Sequence, residues 1–258
     1  MIFFKNEEEV ACIRKSACIL SQALGILAKE IRPGITTKSL DKIAEDYIKD
    51  QHAIPSFKGY ENFPSSLCIS VNNEVAHGIP GKYVIKEGDI VSVDCGVFYQ
   101  GMHSDSAYTF SVGETKKEAA DLLKITKEAL YLGIDEAITG KRTGDIGNKI
   151  ETHVLKNGYS IVKILAGHGV GFHLHEDPDI LNYGRQGTGV KLKKGMVIAI
   201  EPIVNMGYGG VRTAADKFTI LTADNKLSAH FEHTVAVLEK KAEILTTFDY
   251  IEEALKQN

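Results

Sequence analysis

The run Ile90–Phe98, IVSVDCGVF, is apolar enough to be a buried strand, yet it carries Asp94 at its centre. A carboxylate taken out of water without a partner is costly, so such a strand folds only where something compensates the charge. The conflict recurs along the chain. Asp105 follows the turn residue Gly101, in the segment leading into the apolar run Ala107–Val112. Glu201 ends Met196–Glu201 (MVIAIE) directly before Pro202, and Glu232 lies inside His230–Leu238 (HFEHTVAVL). A hairpin centred on Tyr99–Gln100 sets Asp94 directly opposite Asp105, where like charges repel and a cation between them reverses the penalty. One acid of this kind is commonly an edge residue or an ion-pair partner, but that explanation is hard to repeat for each of these. His168, in Ala166–Gly171 (AGHGVG), joins them, because glycine on both sides lets the backbone approach closely and leaves the imidazole open. Four carboxylates and a neutral imidazole balance two divalent cations. Such ions, bridged by carboxylates, sit ~3.5–4 Å apart and share an activated water. An oxygen-rich set with one imidazole favours Mn, Fe or Co, and Zn is also compatible.

The elements around these residues alternate in a repeated order. Asn6 as N-cap, Glu7, Glu8 and Glu9 in the first turn, and Ile13, Ala17, Leu20, Leu24, Leu27 and Ile31 at helical spacing predict a helix over 7–31, stopped by Pro33-Gly34. A second helix follows Thr37, and then come strands at Leu67–Val71, Ile90–Phe98 and Ala107–Val112. Thr115 and Glu118 form a T-x-x-E capping box before a helix to about Ile138. A shorter helix spans Asp145 to Lys156, and strands follow at Ser160–Leu165, Met196–Val204 and Phe231–Leu238. A shift of 106 aligns Gly34 with Gly140, Thr37 with Thr143, Leu40 with Ile146 and Glu45 with Glu151. The reading is an internal duplication: one α+β domain over 1–258, with halves of about 1–113 and 114–258 and no linker between them.

Composition excludes several classes. A net charge of -4 gives no reason to expect a nucleic-acid site. No stretch reads as the ~20 apolar residues of a membrane span, and the start, MIFFKNEEEV, lacks a signal peptide's basic, then apolar, pattern. The expected location is the cytoplasm. Cys12, Cys18, Cys68 and Cys95 form no C-x-x-C pair and read as buried, reduced thiols.

The spacing of Asp94, Asp105, His168, Glu201 and Glu232, on these local sequences, resembles the ligand set of the type I methionine aminopeptidases. The similarity extends through CISVNNEVAHGIP (Cys68–Pro80), VSVD (Val91–Asp94), HSDS (His103–Ser106), GHGVG (Gly167–Gly171), HEDP (His175–Pro178), IEP (Ile200–Pro202) and SAHFEHT (Ser228–Thr234). It covers the chain from the first helix to Leu238 and is closest to the short bacterial form, with no N-terminal zinc-binding extension expected. The resemblance implies a pita-bread fold, two αβ halves about a pseudo-twofold axis and a central antiparallel sheet. It implies Asp94 bidentate on one metal, Asp105 and Glu232 bridging, and His168 and Glu201 completing the other, with Glu201 also as general base. His77 would contact the scissile amide nitrogen and His175 the carbonyl oxygen. Phe57, Tyr60, Phe63, Cys68, Leu174 and Phe218 would form the pocket for methionine. Here the chain departs from the common pattern: Phe57 stands where cysteine is frequent, Leu174 replaces an aromatic, and Phe218 replaces a tryptophan. Backbone near Asn72 and Ser228 would hold a monovalent cation. The implied partner is the N-terminus of a peptide or nascent chain, met at the ribosome by a monomeric enzyme. The alternatives are a proline dipeptidase-like peptidase, which usually carries a large extra N-terminal domain, and a non-catalytic binding protein on the same fold, which would lack ligands.

Overall fold

The structure is a computed structural model and describes residues 1–256. Helix α1 spans Glu7–Glu30, α2 Thr37–Asp50, α3 Lys117–Ile134, α4 Thr143–Lys156 and α5 Asp249–Leu255. At the start of α1 the Asn6 side chain accepts from the Glu9 N–H while the Glu9 carboxylate accepts from the Asn6 N–H, closing a capping box. By length and apolarity alone α1 is able to cross a membrane, contrary to the sequence expectation. Its apolar face instead packs in the core: Ile13, Ala17, Leu20, Leu24 and Leu27 are fully buried, and the helix lies against α5 and the two long central strands.

The strands Ile90–Tyr99 and Met102–Ser111 form a hairpin, flanked on the other side of Ile90–Tyr99 by Leu67–Val71 and the short Ile54–Pro55. In the second half Val197–Ile200 lies between His233–Ala236 and Ala166–Gly169, with Glu176–Leu181 beyond. Every ladder between these strands is antiparallel. Two expected strands are broken. Met196–Val204 divides into Val197–Ile200 and Ile203–Asn205, because Pro202 has no N–H to give a ladder. Opposite it, Phe231–Leu238 is replaced by Ser228–His230 and His233–Ala236. The pairs Ile203↔His230 and His233↔Ile200 keep one register across the break, so Glu201 and Glu232 face each other within it. The run Ser160–Leu165 keeps only Ser160–Ile161 as strand.

Helix boundaries also shift. Thr115 caps nothing: α3 begins at Lys117 and Lys116, with extended backbone, takes the N-cap position without a side-chain bond. The helix stops at Ile134, and Ile138 instead bridges to Leu238. Helix α4 starts two residues early, at Thr143, where the Asp145 carboxylate accepts from the Arg142 N–H at 2.8 Å.

The two halves repeat in detail. Helices α2 and α4 each have 14 residues, offset by 106 at both ends. The Gly34 N–H donates to the Ile85 carbonyl at 2.9 Å, and the Gly140 N–H to the Leu192 carbonyl at 3.0 Å. The Thr37 N–H donates to Tyr83 at 3.1 Å and the Thr143 N–H to Val190 at 2.9 Å. Leu40 and Ile146 are both fully buried, and Glu45 and Glu151 each pair with a lysine, Lys58 and Lys163. The acceptors on the second side are offset by 107, and that offset makes Glu201 the counterpart of Asp94. The fold is thus an α+β pita-bread arrangement of two pseudo-twofold-related αβ halves.

Candidate active site

The hairpin turns at Gln100–Gly101, where both residues have positive φ (50° and 84°), the geometry of a type I′ turn. Centring the turn one residue later than expected moves the register by two. Asp94 therefore pairs with Ala107 and Asp105 with Gly96, so the two acids are diagonal neighbours on one face rather than direct opposites. The second half is stitched onto this face. The Glu232 N–H donates to the Ala107 carbonyl at 2.9 Å, the Ser106 hydroxyl to the Glu232 carbonyl at 2.7 Å, and the Thr234 hydroxyl to the Asp105 carbonyl at 2.7 Å.

His168 arrives between Gly167 and Gly169, and neither position admits a side chain. A Cβ at Gly167 would stand 2.2 Å from the Ala199 oxygen, and one at Gly169 would stand 2.4 Å from the Asp177 oxygen. The His168 Nδ1–H donates to the Gly169 carbonyl at 2.9 Å, which leaves the Nε2 lone pair for the acids. Nε2 lies 3.7 Å from Glu201 Oε1 and 3.9 Å from Asp105 Oδ2. Ligand atoms of Asp94, Asp105 and Glu232 lie within 4.8 Å of one another, as do those of His168, Glu201 and Glu232, so Glu232 belongs to both sets. Asp105 likewise groups with His168 and His175.

Burial governs the protonation of this cluster. It pushes Asp94 up to about 7 and Glu201 up to about 8, and it raises Asp105 and Glu232 well above the carboxylate range, with repulsion from neighbouring acids adding to the burial in all but Glu201. His168 is pushed down to about 3 by the same burial, so its imidazole is neutral. Asp94 Oδ1, Asp105 Oδ1 and Glu232 Oε1 are buried without a hydrogen-bond partner. Orphaned carboxylate oxygens beside a neutral imidazole are the donor set that divalent cations satisfy, so the residues present fit two such ions.

A cavity of about 140 Å³ is lined by Asp94, Asp105, His168, Glu201 and Glu232, by His77 and His175, and by the apolar pocket. Phe57, Phe63, Cys68 and Leu174 form a buried cluster against which Phe218 and Ile79 pack, and Tyr60 borders it. Phe63 and Phe218 meet edge to face at 5.4 Å between ring centres. His77 lines the cavity just before Gly78, whose absent side chain lets the loop press on the Ile69 carbonyl. His175 Nδ1 lies 2.8 Å from the Tyr60 hydroxyl, and its ring meets the edge of His168 at 4.3 Å. Burial holds both His77 and His175 below the ordinary imidazole value.

Sequence reasoning missed Glu61, which lines the cavity from a left-handed turn, and His230, whose Nε2 is 3.5 Å from Glu201 Oε2. His230 was legible as a second polar residue in the apolar run HFEHTVAVL; Glu61, in a loop, gave no such signal. The thiols divide: Cys68 and Cys95 are buried, whereas Cys18 is exposed and Cys12 half-buried. At the expected monovalent site the Asn72 carbonyl already accepts from the Ser228 N–H at 2.9 Å.

The model of metallopeptidase family M24 matches residues 11–239. The methionine aminopeptidase of Clostridium perfringens is 53% identical over 246 residues, covering 95% of this chain and 99% of that protein. The crystal structure of methionine aminopeptidase from Thermotoga maritima superposes with a TM-score of 0.94 at 43% identity, covering 96% of this chain and 100% of that one. A prolidase from Pyrococcus furiosus shares the fold at a TM-score of 0.79 and 26% identity, covering 95% of this chain but only 65% of the longer prolidase. The chain belongs to metallopeptidase family M24, in its methionine aminopeptidase branch.

Proposed function

We propose that the chain removes the N-terminal methionine from peptides and nascent proteins whose second residue is small, by hydrolysing the first peptide bond. One observation carries this reading: the five acid and imidazole ligands, both cavity histidines and the apolar pocket line a single cavity. Asp94, Asp105 and Glu232 would hold one divalent ion and His168 and Glu201 the other, with Glu232 and Asp105 shared. Co, Mn, Fe and Zn are the candidate ions. When bound, they supply the Lewis acidity that polarises the carbonyl and makes water a nucleophile at neutral pH.

The chain's own groups do the rest. The methionine side chain enters the pocket of Phe57, Tyr60, Phe63, Cys68, Leu174 and Phe218, which holds the first residue in register. Glu201 takes the proton of the attacking water. The Tyr60 hydroxyl donates to His175 Nδ1, keeping the hydrogen on Nε2, from which His175 donates to the carbonyl oxygen as negative charge develops. His77 contacts the amide nitrogen and assists the departing amine. The same reading includes a monovalent cation near Asn72 and Ser228, a catalytic domain over 1–258 with halves near 1–113 and 114–258, and a monomer working in the cytoplasm on chains leaving the ribosome. Metal-loaded protein is expected to cleave Met-Ala-Ser and to leave Ala-Pro intact. Cleavage of Ala-Pro in preference would move the chain to the proline dipeptidase reading, and no cleavage with Mn, Fe or Co would make it a binding protein.

A further inference from the structure

The Glu201 carboxylate is flanked by two imidazoles. Its Oε1 lies 3.7 Å from His168 Nε2, and its other oxygen, Oε2, lies 3.5 Å from His230 Nε2. His230 ends the strand Ser228–His230, paired with Ile203 just past the Glu201–Pro202 break, and is 3% exposed. Its Nε2 is buried with no hydrogen-bond partner, and Glu232 Oε2 lies 3.9 Å away. Carboxylates that hold cations are ionised and only accept hydrogen bonds, so the imidazole nitrogen facing them carries the hydrogen. A buried N–H left unmade is costly, and the acceptor nearest to it among these acids is Glu201 Oε2.

We propose that His230 is a positioning residue that donates its Nε2–H to Glu201 Oε2 and so keeps Oε1 turned toward the His168 side of the cluster. A carboxylate gripped by one oxygen loses its freedom to rotate, and the other oxygen stays available for cation and proton. Hydrogen bonds behind a ligand commonly change metal affinity or activity by roughly 10–100-fold when removed. The consequence for turnover rests on the peptidase reading above; the consequence for metal binding does not.

The test compares His230→Leu, which removes the donor, with His230→Gln, whose amide N–H reaches a similar place. Mn(II) is titrated calorimetrically into each metal-free protein, and kcat and KM are then measured on Met-Ala-Ser. The leucine variant is expected to bind Mn(II) and turn over substrate roughly 10–100-fold more weakly, with KM little changed, while glutamine restores both. Wild-type Mn(II) affinity in the leucine variant, or equal impairment in both variants, overturns the proposal. His230→Met repeats the comparison should the leucine variant fail to fold. If the unmodified chain releases no methionine, the peptidase reading falls, and the calorimetric comparison still decides the role of His230.

Discussion

Asp94, Glu201 and Glu232 are legible in the sequence because each breaks an apolar run, and a broken rule of burial needs a physical cause; Asp105 is legible only through the hairpin that returns the chain beside Asp94. Their mutual geometry is less legible. It depends on whether a turn centres on Tyr99–Gln100 or Gln100–Gly101, a difference that local propensity does not settle but that decides which atoms face each other. The pocket residues Phe57, Leu174 and Phe218 carry no signal of their own, since a buried aromatic is ordinary core, and only their similarity to a family assigned them. Glu201→Ala is expected to lower kcat by roughly 10²–10⁴-fold. In metal-free protein it should leave the melting temperature unchanged or raised, because it removes one of several mutually repelling buried carboxylates. Near-normal kcat in that variant would contradict the base assignment. Phe218→Ala removes the partner of Phe63 and should raise KM for methionine peptides more than it lowers kcat, which initial-rate kinetics will show.

At the scale of elements, amphipathic spacing placed the first helices and cap and stop residues the later ones, but capping chemistry misled at α3, where Thr115 stands one residue too early to cap. Tertiary ion pairs were invisible to periodicity. Lys5 and Glu176 form a fully buried pair, and Glu176 also accepts from the His173 N–H at 3.1 Å, so the pair pins the loop that carries His175. Lys5→Met leaves the Glu176 charge buried alone and should cost about 3–5 kcal/mol in urea unfolding. A cost near zero would show that the pair does not hold the loop. Glu45 is different: its bonds to Lys49 and Lys58 lower its pKa from 4.5 to about 2. A depressed carboxylate stabilises fully above its unfolded value and loses that contribution as pH falls, here from about 4.5 to about 2. Both lysines are substantially exposed, so solvent screening reduces the contribution to about 1 kcal/mol. Glu45→Gln should therefore narrow the stability gap to the parent chain as pH falls through that window, measured by denaturation at stepped pH.

Across the whole molecule, the duplication explains why the site sits where it does. Asp94 and Glu201 occupy corresponding positions in the two halves, and the antiparallel neighbours of their strands bring in Asp105 and Glu232. The shift of 106 was legible because helix starts keep their glycine and threonine; the change to 107 shows only in the backbone acceptors that those starts bond. The buried acids oppose folding until cations neutralise them, so stability and metal binding are linked. Each ion at a hundredfold excess over its Kd adds about 2.7 kcal/mol. The most direct measurement is calorimetric titration of the metal-free chain with Mn(II), followed by methionine release from Met-Ala-Ser at each point. Two ions per chain, with release appearing as they bind and absent without them, is the predicted result. Full release from metal-free protein, or no binding at the acid cluster, would contradict the account.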